Sequence, residues 1–214
     1  MPGSHSQQIN EIMEVLVLIK PMSVLDVGVG FGKYGVLVRE RLDLWEGAGK
    51  DLAEYKKWQR RVDGIEAYEG YLTPLHQFIY NHIYLGDALK VVPTISFKYD
   101  LILLIDVIEH FSLADGLKLL RELKRIGRNV LVSTPKHAGR QEALYGNDYE
   151  QHISQWQKKD FVPFVPKIFI PNQYSLICLL GEDVDLAAAF FKKKKKQIFK
   201  QKLKSGLKIL FRRQ

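Results

Sequence analysis

The stretch VLDVGVGFGKYG, Val24 to Gly35, constrains the fold more than any other part of the chain. An apolar run meets an acid, Asp26, and glycine then takes positions 28, 30, 32 and 35. Without Cβ atoms such a segment can turn tightly and bring its backbone against a bound group. The pattern reads as a buried strand, Ser23 to Val27, feeding a side-chain-poor turn and then the helix KYGVLVRERL. A strand, turn and helix of this kind are how chains hold nucleotide-like ligands.

The same alternation runs on through the chain. QQINEIMEVLVLIK places Ile9, Ile12, Met13, Leu16 and Ile19 on one helical stripe, ended by Pro21. RVDGIEAYEG reads as a second strand closing at Glu66, followed by the helical stretch GYLTPLHQFIYNH. IYLGDAL is a third strand that breaks at Gly86-Asp87. YDLILLIDVIEHF is a fourth, its unbroken apolar run arguing burial on both faces, as in a parallel sheet. LADGLKLLRELKRI is an amphipathic helix with Leu113, Leu117, Leu120 and Leu123 on one side. NVLVSTP is a fifth strand, and KIFI and YSLICLLG offer two more. Strands alternating with helices imply a mostly parallel sheet covered on both faces, with the ligand beyond the C-terminal strand ends.

A chain of 214 residues suffices for one well-buried domain. Its single cysteine, Cys178, excludes an internal disulfide. The run LILLI falls far short of the roughly 20 apolar residues of a membrane span, and the polar start does not read as a signal peptide. The expected location is cytoplasmic. From Lys192 to Arg213 there are eleven Lys and Arg and no acid, which leaves residues 1–191 with 21 bases against 24 acids. The body is mildly acidic and all the basicity lies in the tail.

Three strand ends carry acids or glycines that a ligand could use. Glu66 can accept hydrogen bonds from both hydroxyls of a ribose, and Asp87 can accept from an adenine amino group. Either acid could instead cap the helix that follows it. Gly30 to Gly35 also satisfies G-x-G-x-x-G, so a nicotinamide dinucleotide is an alternative. The 34 residues from Gly32 to Glu66 count against it, because the ribose acid of that motif is expected about 20 residues on.

VLDVGVGFG, GIEA, LGDAL and YDLILLIDVIEHF, in this order, resemble the class I S-adenosylmethionine-dependent methyltransferases over roughly residues 20 to 180. The resemblance implies an α/β, Rossmann-like fold: a mostly parallel seven-stranded sheet with helices on both faces, strand order 3-2-1-4-5-7-6 and strand seven antiparallel. It places Asp26, Gly28, Gly30 and Gly32 along the amino-acid end of the cofactor and Glu66 on the ribose. It puts Asp87 and Ala88 at the adenine, and Asp106 beside the sulfonium. Relative to the family, residues 43–60 are an insertion that could form a lid or pack on the sheet edge.

Methyl transfer from a sulfonium needs alignment above all, and a base only where the acceptor carries a proton. Glu109, His110 and His152, with Asp106, are the candidates for that chemistry. Asp106, Glu109, His110 and His152 also resemble the divalent-metal pattern of some O-methyltransferases, including those of small RNAs. Asp106 stands where those families carry a longer glutamate, so a metal-free acceptor pocket is the favoured reading. HAGRQEALYGNDYEQHISQW resembles the loop that contributes acceptor contacts, through Arg140, Gln141, Tyr145, Asn147, His152 and Trp156. His76, His82 and His137 read as structural or exposed.

The sequence divides into a methyltransferase domain at 1–190 and a basic amphipathic tail at 191–214, where Ile198, Phe199, Leu203, Leu207, Leu210 and Phe211 recur near helical spacing. Such a tail suits an anionic membrane surface, making the protein peripheral there, or nucleic-acid phosphate. The expected activity is methyl transfer from S-adenosylmethionine to an oxygen or nitrogen of a small-molecule or lipid-linked acceptor. The alternatives are an RNA methyltransferase and a non-catalytic module that binds the same cofactor.

Overall fold

A computed structural model describes residues 3–45 and 57–211, with side chains through residue 201. Seven strands form one sheet: β1 (Ser23–Val27), β2 (Arg61–Glu66), β3 (His82–Leu85), β4 (Tyr99–Ile105), β5 (Gly127–Pro135), β6 (Lys167–Ile170) and β7 (Ser175–Gly181). Their order is β3-β2-β1-β4-β5-β7-β6. The first five strands pair in parallel, and β7 runs antiparallel to both β5 and β6. Order and directions are those implied by the resemblance.

The pleat of β4 shows why the sheet is buried on both faces. Leu101, Leu103 and Ile105 point to one side, where they meet α1 (Ile9–Ile19), α2 (Lys33–Val38), α3 (Pro74–Ile79) and the start of α6 (Val184–Phe211). Ile102 and Leu104 point to the other, where they meet α4 (Ala88–Val91), α5 (Leu113–Ile126), Trp156 and Phe161. The helical stripe of α5 is rotated from the expected one. Its buried side is Gly116, Leu119, Leu120, Leu123 and Ile126, while Leu113 is exposed. Gly116 sets this rotation, since a β-carbon there would strike the indole of Trp156.

The centre of the expected insertion, 46–56, lies outside the described residues. Its flanks are anchored at the N-terminal ends of the strands. Buried Arg39 donates to Asp43 Oδ2 (2.9 Å), to the carbonyls of Arg60 (2.7 Å) and Ile79 (2.8 Å), and to Asn81 Oδ1 (2.7 Å). Arg60 reaches Asp43 Oδ1 (3.0 Å) and the carbonyl of Pro21 (3.1 Å). Trp58 lies over the Arg39 guanidinium and donates to the carbonyl of Phe78 (2.9 Å). Residues 21, 60 and 81 each precede a strand, so both flanks sit at the opposite end of the sheet from the glycine turn.

α6 starts seven residues before the expected tail and crosses from 190 to 191 without a break. Val184 and Ala187 are buried against the sheet, and Lys194 bonds Glu14 of α1 (2.5 Å).

Candidate functional site

The register aligns the ends of the parallel strands, with Val27 beside Ile65 and Leu104, and Glu66 beside Leu85. Beyond these ends lies a cavity of about 560 Å³, lined by Gly28, Gly30, Glu66, Asp87, Ala88, Asp106, Glu109, His110 and His152 among others. That volume is in the range of small-molecule sites. The turn needs glycine for two distinct reasons. Gly28 has φ 77°, and a β-carbon there would lie 2.5 Å from Val107 Cγ2. Gly35 lets α2 press onto the Tyr80 ring.

Glu66 and the turn face each other directly. Glu66 Oε2 accepts from the Gly30 N–H (2.9 Å) and Oε1 from the Tyr68 N–H (2.9 Å). Burial raises its pKa despite those donors. Each carboxylate oxygen has a second lone-pair direction for a ligand. Asp87 both caps and lines: Oδ1 accepts from the Leu89 N–H (2.9 Å) as α4 begins, and the residue borders the cavity beside Gly86 and Ala88.

Two expected cofactor residues lie behind the wall rather than in it. Asp26 is buried beneath the turn, accepts from the Tyr80 hydroxyl (2.6 Å) and does not line the cavity. Burial pushes its pKa up to about 7. Gly32 caps α2 at φ 88° and packs near His76. His76 itself is structural, its Nε2 sharing a hydrogen bond with the Gly30 carbonyl (2.9 Å). His82 and His137 are exposed.

Glu109, His110 and His152 converge on one point. One ligand-capable atom from each lies within 4.8 Å of the other two. His110 Nδ1 lies 2.9 Å from the Gln151 carbonyl, and His152 Nδ1 lies 2.7 Å from the Gly139 carbonyl. A carbonyl can only accept, so each Nδ1 carries a proton and Nε2 is the nitrogen of each ring left to face a ligand. Burial lowers the His110 pKa, which keeps that ring neutral. Glu109 is fully enclosed, accepts from the Thr134 hydroxyl (2.9 Å), and has its pKa pushed up to about 8 by burial and then by Asp106. A carboxyl and two imidazoles with their second nitrogens pinned form a donor set that suits a divalent cation.

Asp106, expected with these three, turns elsewhere. It has φ 52°, and its Oδ2 accepts from the His5 N–H (2.9 Å) and Gln8 Nε2 (2.7 Å). Its Oδ1 is buried without a hydrogen-bond partner among the described residues. Gln8 is held in turn by Ser133, and Lys33 Nζ bonds the Ser4 carbonyl. Residues 3–7 therefore form one wall of the cavity, for which the sequence held no signal.

The loop after β5 supplies the remaining wall. Gln141, Asn147 and His152 line the cavity as expected of acceptor contacts, and Tyr149 and Glu150 join them. Glu150 Oε1 accepts from Tyr71 (2.9 Å) and its carbonyl accepts from Gln141 Nε2 (2.6 Å), tying this loop to the segment after β2. Arg140 and Tyr145 point to solvent, and Arg140 pairs with Glu142. Trp156 belongs to the core, donating to the Ile108 carbonyl (3.2 Å) and Ser154 Oγ (2.9 Å).

No protein-family model and no curated protein sequence matches the chain. Its structure, however, resembles solved ones. A protein of Nostoc punctiforme assigned as an O-methyltransferase superposes with a TM-score of 0.58 at 16% identity, covering 82% of this chain and 57% of that one. The N-terminal domain of EvdMO1, solved with S-adenosylhomocysteine and D-fucose, gives 0.52 at 13% identity, covering 84% of each chain. The methyltransferase domain of a bacterial Hen1 gives 0.50 at 19% identity, covering 84% of this chain and 100% of that one. The chain thus spans little more than half of the Nostoc protein's length. At these identities the likeness establishes a shared fold.

Proposed function

We propose that this chain, which has the class I S-adenosylmethionine-dependent methyltransferase fold, transfers a methyl group from that cofactor to an oxygen or nitrogen of a small-molecule or lipid-linked acceptor. The observation that carries the reading is the meeting of Glu66 and Asp87 with the glycine turn in one cavity, Glu66 bonded to Gly30 itself. That arrangement fits an adenosine: Glu66 for the ribose hydroxyls and Asp87 with the Ala88 backbone for the base. The unpartnered Oδ1 of Asp106 is available to a cationic group on the cofactor's amino-acid side.

When bound, the cofactor supplies a methyl carbon on a positively charged sulfur, an electrophile that needs an aligned nucleophile. The chain's part is to hold the acceptor and take its proton. His110 Nε2 is neutral, fixed in direction and beside Glu109 and His152, which suits a base for a hydroxyl or protonated amine. The wall of residues 3–7 and the loop through Glu150 would exclude water.

A second reading rests on the convergence of Glu109, His110 and His152: these would hold a divalent cation that fixes and acidifies the acceptor oxygen. An RNA acceptor fits less well, because Glu66, Asp87, Asp106 and Glu150 border the cavity, and carboxylates there would repel phosphate.

Calorimetry with S-adenosylmethionine, S-adenosylhomocysteine and NAD tests the cofactor. Binding of the first two and not of NAD is expected; preference for NAD overturns the reading. Methyl release in the presence of cell extract separates an enzyme from a module that only binds. Loss of that turnover on adding chelator, restored by Mg²⁺ or Mn²⁺, would select the metal-assisted form.

A further inference from the structure

We propose that the distal part of α6 is a docking helix for an anionic lipid surface, and that it holds the cavity mouth toward that surface. The direction of the helix carries the inference. β7 ends with Gly181 beside Asn129, at the N-terminal end of the sheet, and α6 begins three residues later. α1 runs the opposite way, from Gln8 beside Asp106 at the cavity to Lys20 at the N-terminal end of β1. The bond from Lys194 to Glu14 fixes where the two helices pass. α6 therefore climbs toward the cavity end of the molecule. At 1.5 Å per residue it clears the start of α1 about five residues beyond Lys194, and about 18 Å of helix then remains before Phe211.

Burial follows the same course. Val184, Ala187 and Phe191 pack on the body, whereas every described side chain from Lys195 to Gln201 is exposed. Ile198 is 42% and Phe199 63% exposed. From residue 195 to residue 211 the helix has lysine at 195, 196, 200, 202, 204 and 208 and no acid. Exposed apolar residues among lysines, on a stretch of helix whose described side chains are all exposed, match a surface with negative headgroups over hydrocarbon. Nucleic acid would offer the charge without the hydrocarbon, and would bring phosphate to the acidic cavity mouth. No described helix is long and apolar enough to cross a membrane, so the contact is with one face of the bilayer. This inference does not need methyl transfer to be correct. If that reading also holds, the acceptor is met at the lipid–water boundary.

The full chain is sedimented with vesicles of phosphatidylcholine alone and with added phosphatidylglycerol, and tested by filter retention for RNA at the same ionic strength. Binding to the anionic vesicles only, weakening as salt rises, is expected. Replacing Lys195, Lys196 and Lys200 by Gln should lower partitioning by at least ~10-fold, each lysine near the surface being worth roughly a factor of 5. Phe199→Ser should weaken vesicle binding with net charge unchanged. These positions are remote from the cavity, so S-adenosylhomocysteine calorimetry serves as a separate control on the site. Failure to bind anionic vesicles, equal binding to neutral ones, or preference for RNA overturns the proposal.

Discussion

Glu66 braces the glycine turn with both carboxylate oxygens and, under the proposed function, would also meet the ribose, so its substitution should show two effects. Removing it takes the acceptor from the Gly30 and Tyr68 N–H groups and from any ribose at the site. Glu66→Ala is expected to weaken S-adenosylhomocysteine binding roughly 10- to 100-fold, from the loss of charged hydrogen bonds of about 1.5–3 kcal/mol, and to lower the melting temperature. Calorimetry and a thermal melt check the two effects separately. Glu109 gives a pH signature. Its folded pKa, about 8, lies above the ordinary carboxyl value. The unfolded chain therefore loses this proton first, and the group's effect on stability becomes more unfavourable as pH rises until about 8. Asp26 acts in the same direction up to about 7. Urea midpoints for the unliganded protein should fall between pH 6.5 and 8, and Glu109→Gln should flatten that fall by about 1–2 kcal/mol.

At the scale of elements, close approaches decide how helices seat on the sheet. α5 lies against Trp156 because residue 116 has no side chain. Gly116→Ala would force the indole aside and should cost about 1–3 kcal/mol, read from chemical denaturation, despite the better helix propensity of alanine. The post-β4 turn illustrates how an element sets chemistry. The short 3-10 turn Ile108–His110 points Glu109 inward to Thr134 and His110 toward His152. The backbone of Glu109 meanwhile accepts from the Ile153 and Ser154 N–H groups (2.9 and 3.0 Å), which places His152. The pairing of DVIEHF with His152 was visible as a set of residue types in the sequence. The exclusion of Asp106 from that set follows from its link to residues 5 and 8, about a hundred positions away.

Across the whole molecule, two polar centres tie the ends of the sheet together. Arg39 joins α2, the start of β2 and the end of α3 at the end remote from the cavity. Arg39→Ala would leave Asp43 with one partner fewer in a buried site and should cost about 3–5 kcal/mol in denaturant unfolding. At the cavity end, Asp106 clasps the N-terminal segment. Asp106→Ala should release that segment, giving faster amide exchange at His5 and Gln8 while exchange in β4 stays protected. Protection unchanged at His5 would show that Lys33 and Ser133 hold the segment without the carboxylate.

The sequence by itself determined the order of strands and helices, because periodicity, glycine turns and apolar runs are local properties. It also named Glu66 and Asp87, which sit at strand ends that a parallel register must align. The positions of Asp26, behind the glycine turn, and of Trp156, in the core, were not legible there, because their side-chain directions depend on Tyr80 and Gly116, far away in sequence. The wall made by residues 3–7, the bond from Tyr71 to Glu150 and the upward course of α6 were decided only by tertiary structure. Each joins segments whose separation no local pattern encodes, and the first two line the cavity itself.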